Sequence, residues 1–185
     1  MPSVFIIHGI YGSPKENWFP WIKKELEELA CDVYVPHFPT SNPTLLGEWL
    51  GVFKPYQKYL DKASIVIGHS VGVPFILTIL ESSPAKSAFL VSGFATNPDN
   101  EFTPIMKNIA DKQFDWSAIR KNCKNFTVFH SDNDPYVPLS LAEELAENLG
   151  TEVSLVEGAG HFNADAGYTA FPLLLEYIKQ CIDIA

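Results

Sequence analysis

Cysteine is scarce in this chain, and the three present, Cys31, Cys123 and Cys181, stand far apart with no C-x-x-C pair. That spacing supports neither a disulfide framework nor a zinc site, and it reads as buried free thiols in a reducing compartment. Positive charge is also short: 13 Lys and Arg against 22 Asp and Glu leave a net charge of -9. A surface of that sign repels phosphate backbones and anionic lipid headgroups, so neither nucleic acid nor a membrane is an expected partner. No apolar run approaches the ~18 residues that a membrane-crossing helix requires. The opening residues, Met1-Pro2-Ser3 before the run Val4 to Ile7, lack the basic segment and small-residue cleavage site of a signal peptide. The expected location is therefore cytoplasmic. Neither G-x-G-x-x-G nor G-K-[ST] occurs, which removes the usual phosphate-binding loops, and no cofactor and no metal is expected.

What is present is the composition of an ordinary globular chain. The 185 residues, 46% hydrophobic and 19% charged, fit one domain around one buried core. Six short apolar runs recur: Val4 to Ile7, Asp32 to Val35, Ser64 to Ile67, Ser87 to Val91, Phe126 to Phe129 and Val153 to Val156. Continuous apolar runs of that length suit strands covered on both faces. Helical patterns lie between them. Trp18 to Leu29 gathers Ile22, Leu26 and Leu29 on one face. Leu45 to Leu60 is broken or kinked by Pro55, and Val71 to Leu80 tolerates Pro74 in its first turn. Leu139 to Leu149 ends at Gly150, and a helix from Phe171 to Ile184 closes the chain. Such alternation predicts an α/β fold, a three-layer α/β/α sandwich about a six-stranded parallel sheet, in a single domain over 1–185 without a substantial cap. The least regular stretch, Phe94 to Asp115, reads either as a small lid or as a long loop holding a short helix. Ligands of such sheets bind beyond the C-terminal strand ends.

Chemistry concentrates at those ends. Ile65-Val66-Ile67 leads into Gly68-His69-Ser70-Val71-Gly72, a G-x-S-x-G pattern between a strand and a helix. A serine on that sharp turn projects its oxygen from the sheet edge. The helix that follows aims free N–H groups and its positive dipole end at a developing anion. Ser70 is thus the candidate nucleophile and the Val71 N–H a candidate oxyanion donor.

A serine hydroxyl needs a base. Of five histidines, His161 lies in Gly158-Ala159-Gly160-His161-Phe162, directly after the sixth strand and on the same edge as Ser70. His8 ends the first strand and His130 the fifth, and both read as structural, whereas His37 is placed where it could line the site. The base needs a carboxylate on its far nitrogen. Ser131-Asp132-Asn133-Asp134-Pro135-Tyr136-Val137-Pro138 supplies two. Asp134, in the form D-x-x-V-P, is favoured over Asp132, which is closer to the strand end and suited to shaping the turn. Taken alone the segment is plain turn chemistry. The order Ser, Asp, His, each after a different strand, is what raises it above that. His8-Gly9-Ile10-Tyr11-Gly12 follows the first strand, and its Ile10 N–H, with Tyr11 as the alternative, is the second oxyanion candidate.

These residues resemble the α/β-hydrolase superfamily, and within it the small retinoblastoma-binding-protein-like (YdeN-like) serine hydrolases. The resemblance runs from His8-Gly9 through Gly68-His69-Ser70-Val71-Gly72 and Ser131 to Pro135 to Gly160-His161-Phe162. It implies a compact, nearly capless fold with strand order 2-1-3-4-5-6, a Ser70–Asp134–His161 triad and carboxylic ester hydrolysis. It does not carry over a retinoblastoma-type partner, because no L-x-C-x-E segment is present to match.

The expected substrate is a small or short-chain ester, with an amide as the alternative. Tyr11, His69 and Phe162 are candidates to contact it. Tyr11, Trp18, Phe38, Phe94, Phe102, Tyr136 and Phe162 all lie in or near loops at the active edge, although packing onto the sheet is the plainer role for most. Two other readings compete: a non-catalytic interaction module on a hydrolase fold, and an acyltransferase or lyase using the same three groups.

Overall fold

The structure, a computed structural model, describes residues 1–40 and 45–182. Its strands are β1 (Ser3–Ile7), β2 (Asp32–Tyr34), β3 (Ile65–His69), β4 (Ser87–Val91), β5 (Asn125–His130) and β6 (Val153–Leu155). Its helices are α1 (Phe19–Glu28), α2 (Leu45–Phe53), α3 (Gly72–Leu80), α4 (Thr103–Ala110), α5 (Trp116–Asn122), α6 (Leu139–Leu149) and α7 (Pro172–Cys181). The strands form one sheet in the order β2-β1-β3-β4-β5-β6, and every pairing is parallel.

Side chains alternate across the strands and divide the core in two. Val4, Ile6, Ile65, Ile67, Phe89, Val91 and Phe129 face a layer built from α1 and α7, where Phe19, Ile22, Leu26, Leu174 and Ile178 are buried. Phe5, Ile7, Val66, Ala88, Leu90 and Val128 face the opposite layer, packed by Trp49, Phe75, Ile109, Ile119 and Leu145 from α2 to α6. Burial on both faces explains why β1, β3 and β4 read as unbroken apolar runs, whereas the edge strands β2 and β6 are only half-buried. Cys31 and Cys123 are buried free thiols. Among the described residues, no helix is long and apolar enough to cross a membrane.

Differences from the expected elements have local causes. The pattern from Leu45 to Leu60 stops being α-helical at Phe53, and Pro55 sits in the first turn of the 3-10 helix Lys54–Tyr59 that follows. The irregular stretch holds α4, opened by Pro104 in its first turn. The short α5 begins beyond it, and its N-cap Asp115 accepts a hydrogen bond from the Ala118 N–H at 2.9 Å. The closing helix ends at Cys181, and residue 184, where the sequence pattern placed its end, lies outside the described residues.

Candidate active site

The turn after β3 is tight and strained. Ser70 adopts φ +55°, left-handed backbone that a non-glycine residue rarely enters, at a cost of about 1–3 kcal/mol. The turn is held from both sides. The Ser70 N–H donates to Val91 O at 2.9 Å, and the Val73 N–H donates to Ser70 O at 2.9 Å. Gly72 is required because α3 starts against the end of β1: a Cβ there would lie 2.4 Å from Ile7 O. Gly9 lets the loop after β1 approach the serine, since a Cβ on it would sit 3.0 Å from Ser70 Cβ and 3.5 Å from its Oγ.

That loop is shaped by His8. Its Nδ1 donates to Gly9 O at 2.7 Å, while its Nε2 accepts from the Phe38 N–H at 2.9 Å. The Gly12 N–H also donates to Gly9 O, at 3.2 Å, and Tyr11 is left-handed at φ +53°. In a trans peptide the N–H opposes the C=O. Fixing Gly9 O toward His8 therefore turns the Ile10 N–H the other way. The Val71 N–H stands at the start of α3, where helix geometry leaves it without an intrahelical partner.

Asp134 and His161 are paired. His161 Nδ1 lies 2.8 Å from Asp134 Oδ2 and 3.0 Å from Oδ1. Oδ1 also accepts from the backbone N–H groups of Tyr136 (2.9 Å) and Val137 (3.1 Å). Burial alone would raise the Asp134 pKa; the His161 hydrogen bond and charge, with the two backbone donors, outweigh it and hold the carboxyl below its usual range. An ionised Asp134 makes Nδ1 the protonated nitrogen of His161 and leaves Nε2 as the basic one.

The segment between β5 and Asp134 grips the loop that carries His161. Ser131 Oγ accepts from the Ala159 N–H at 2.9 Å, Asp132 Oδ1 from Gly158 at 2.8 Å and Asn133 Oδ1 from Gly160 at 2.7 Å. Asp132 thus touches the backbone of this loop, and Asp134 the imidazole. On the far side the Trp18 indole N–H donates to Phe162 O at 2.9 Å, pinning the left-handed turn at Phe162 (φ +49°).

Ser70, His161, Ile10, Tyr11 and His69 line one cavity of about 660 Å³. Phe162 does not line it. Its ring is fully buried against Tyr168 and Phe171, so it anchors the His161 loop from within the core instead of reaching a ligand. His69 is buried and its Nε2 donates to His161 O at 2.8 Å. Burial first, and then the neighbouring His161, push its pKa down to about 3. His37 is exposed, its ring 5.8 Å from that of His8.

Of the loop aromatics, Tyr11, Phe94, Phe102 and Tyr136 reach the cavity, whereas Trp18, Phe38 and Phe162 belong to the core. Tyr11, Phe102, Tyr136 and His161 form a chain of edge contacts with centroids 6.1, 5.7 and 5.0 Å apart. Met106 of α4 extends this apolar wall. The lining also has a polar part, with Lys15, Glu16, Asn163 and Asp165, where the Ala164 N–H donates to Asn17 at 2.9 Å. Met106 and Asn163 carry no motif, and only the fold brings them to Ser70.

Comparison with known proteins agrees with the fold. The profile of the family described as "Serine hydrolase" matches residues 4–180. The chain is 30% identical over 182 residues to the Bacillus subtilis (strain 168) protein YdeN, covering 96% of this chain and 95% of that one. It is 24% identical over 167 residues to the serine hydrolase RBBP9 of Rattus norvegicus, covering 90% and 87% of the two chains. The crystal structure of the B. subtilis ydeN gene product superposes with a TM-score of 0.89 at 29% identity over 98% of each chain. Est1E of Butyrivibrio proteoclasticus, solved with ferulic acid bound, shares the fold with a TM-score of 0.73 at 18% identity, covering 97% of this chain and 87% of that one.

Proposed function

The chain belongs to the serine hydrolase family, and from that premise we propose that it cleaves a small carboxylic ester through an acyl-enzyme on Ser70. The observation that carries the reading is the buried Asp134–His161 pair opening on the same cavity as a serine on a strained turn.

His161 Nε2 takes the hydroxyl proton as Ser70 Oγ attacks the ester carbonyl carbon. Asp134 stabilises the imidazolium that forms. The carbonyl oxygen, now an anion, receives the Ile10 and Val71 N–H groups, each worth about 3–4 kcal/mol in such a site. Collapse breaks the bond to the alcohol oxygen, and His161 gives that oxygen its proton. Water then enters, yields a proton to the same nitrogen and releases the acid, and Ser70 recovers its hydrogen.

The cavity supports an ester larger than a simple acetate, because about 660 Å³ is within the range of sites that enclose drug-sized ligands. Its apolar wall of Phe94, Phe102, Met106 and Tyr136 suits a hydrocarbon or ring on one side of the scissile bond. The polar lining of Lys15, Glu16, Asn163 and Asp165 suits a hydrophilic group elsewhere on the same molecule. The test is hydrolysis of a p-nitrophenyl ester series by wild type and Ser70→Ala, with fluorophosphonate labelling read by mass spectrometry. The variant should lose at least about 10⁴-fold in kcat and all labelling. Equal rates in the two proteins end the assignment.

A further inference from the structure

We propose that His8, His69 and His130 are positioning residues, each donating one N–H to a backbone carbonyl that fixes a different catalytic group. The inference rests on the ester hydrolase reading for what those groups do, but its geometry stands independently.

All three are buried at the C-terminal rim of the sheet: His69 and His130 are the last residues of β3 and β5, and His8 directly follows β1. Carbonyl oxygens accept hydrogen bonds and cannot donate, so each contact assigns a proton. His69 Nε2 donates to His161 O at 2.8 Å and His130 Nε2 donates to Val137 O at 2.9 Å. His8 takes the other tautomer: the Phe38 N–H occupies its Nε2, and Nδ1 donates to Gly9 O. Each neutral ring has one N–H, and each N–H holds a carbonyl.

What those carbonyls carry differs. Gly9 O sets the direction of the Ile10 N–H. His161 O belongs to the base itself, so the residue beside the nucleophile holds the backbone of the residue that activates it, with the two rings 4.9 Å apart. Val137 O lies on the residue whose N–H supports the Asp134 carboxylate, and His130 Nε2 is 3.9 Å from Asp134 Oδ2, too far for a bond to it. The chain therefore places one histidine behind the oxyanion donor, one behind the base and one behind the acid.

Packing alone does not account for this choice. The Nδ1 atoms of His69 and His130 are buried and have no hydrogen-bond partner. A leucine would fill similar space with no orphaned acceptor. It would lack only the N–H.

Two measurements decide the matter. Long-range ¹H–¹⁵N correlation spectra of the wild-type protein at about pH 7 report imidazole tautomers without any substitution. Protonated Nδ1 in His8 and protonated Nε2 in His69 and His130 are expected, all neutral; an imidazolium or the opposite tautomer at any of them overturns its assignment. In kinetics on a p-nitrophenyl ester, His69→Leu and His130→Leu should each lower kcat about tenfold to hundredfold while KM stays within about threefold. His69→Gln and His130→Gln should recover most of that loss, because glutamine Nε2 sits where the imidazole Nε2 was. Glutamine variants no better than the leucine variants refute the positioning role, and if the leucine variants fail to fold the spectra decide. Absence of fluorophosphonate labelling of Ser70 in the wild type would instead strike the ester hydrolase reading, leaving the tautomer result intact.

Discussion

Acid should loosen this protein well above the range in which its surface carboxylates protonate, and His69 should be the largest single reason. The groups that face this ring are His161, Asp134 and His8. Burial, reinforced by His161, lowers its pKa from 6.5 to about 3. A group that binds its proton more weakly folded than unfolded contributes stability fully present above the unfolded pKa and lost as pH falls toward the folded one. The window is therefore pH 6.5 down to about 3. Across it the linkage amounts to about 4–5 kcal/mol, and at pH 5 about 2 kcal/mol has gone, a large share of a total stability of about 5–15 kcal/mol. His8 and His130 are lowered in the same direction, also mainly by burial, so they add to the slope. Asp134, held below its usual range, stabilises the fold fully above its unfolded pKa and loses that contribution only as the pH falls below it. The assay is urea unfolding of wild type and His69→Gln at a series of pH values from about 7.5 to 4.5, within the linear regime. Wild type should lose about 2 kcal/mol more than the variant between pH 7 and 5. Parallel stability curves for the two proteins would refute the reasoning.

Asp134→Asn should lower kcat by about 10⁴-fold in a steady-state ester assay, because an amide cannot stabilise the imidazolium and favours the wrong tautomer. Asp132→Asn should cost less than about tenfold, since asparagine Oδ1 can still accept from the Gly158 N–H. Phe102→Ala should raise KM for a phenyl-bearing ester by about tenfold and leave acetate nearly unchanged, as expected for about 1.4 kcal/mol of lost apolar contact; equal effects on both esters would dissociate the aromatic wall from binding. Ser70→Gly should abolish turnover yet raise the unfolding free energy by about 1 kcal/mol, measured by urea titration, because glycine accepts φ +55° without strain.

The sheet was legible because its central strands are buried on both faces: Ile65-Val66-Ile67 and Ala88-Phe89-Leu90-Val91 can be little else. The positions of Ser70, Asp134 and His161 were legible because each follows a strand of a parallel sheet, whose C-terminal ends share one rim. Phe162 misled for a physical reason. Neighbours along a left-handed turn point in different directions, so a residue next to His161 can face the core while His161 faces the cavity. The four-residue segment Ser131 to Asp134 carried more than its turn chemistry suggested. Its first three side chains bind successive N–H groups of a glycine-rich loop, a pairing across 26 to 28 residues that local pattern cannot reveal. The short α5 left a local sign, Asp115 ahead of Trp116-Ser117-Ala118, that a search tuned to long amphipathic stretches passes over.

The apolar wall of the cavity, unlike the serine turn, is fastened to the rest of the molecule largely by side chains. Thr96 donates to Glu144, Asn100 Nδ2 donates to Tyr136 O, and Asn97 ties the two ends of α4 by accepting from Thr103 and donating to Asp111. No strand pairing passes through it. The cavity-facing side chains of this segment are consequently its adjustable part: changing Asn100 or Phe102, with Ile109 and Ala110 left in the core, should retune which molecules are accepted while the bond-breaking apparatus, rooted in the sheet, keeps its shape.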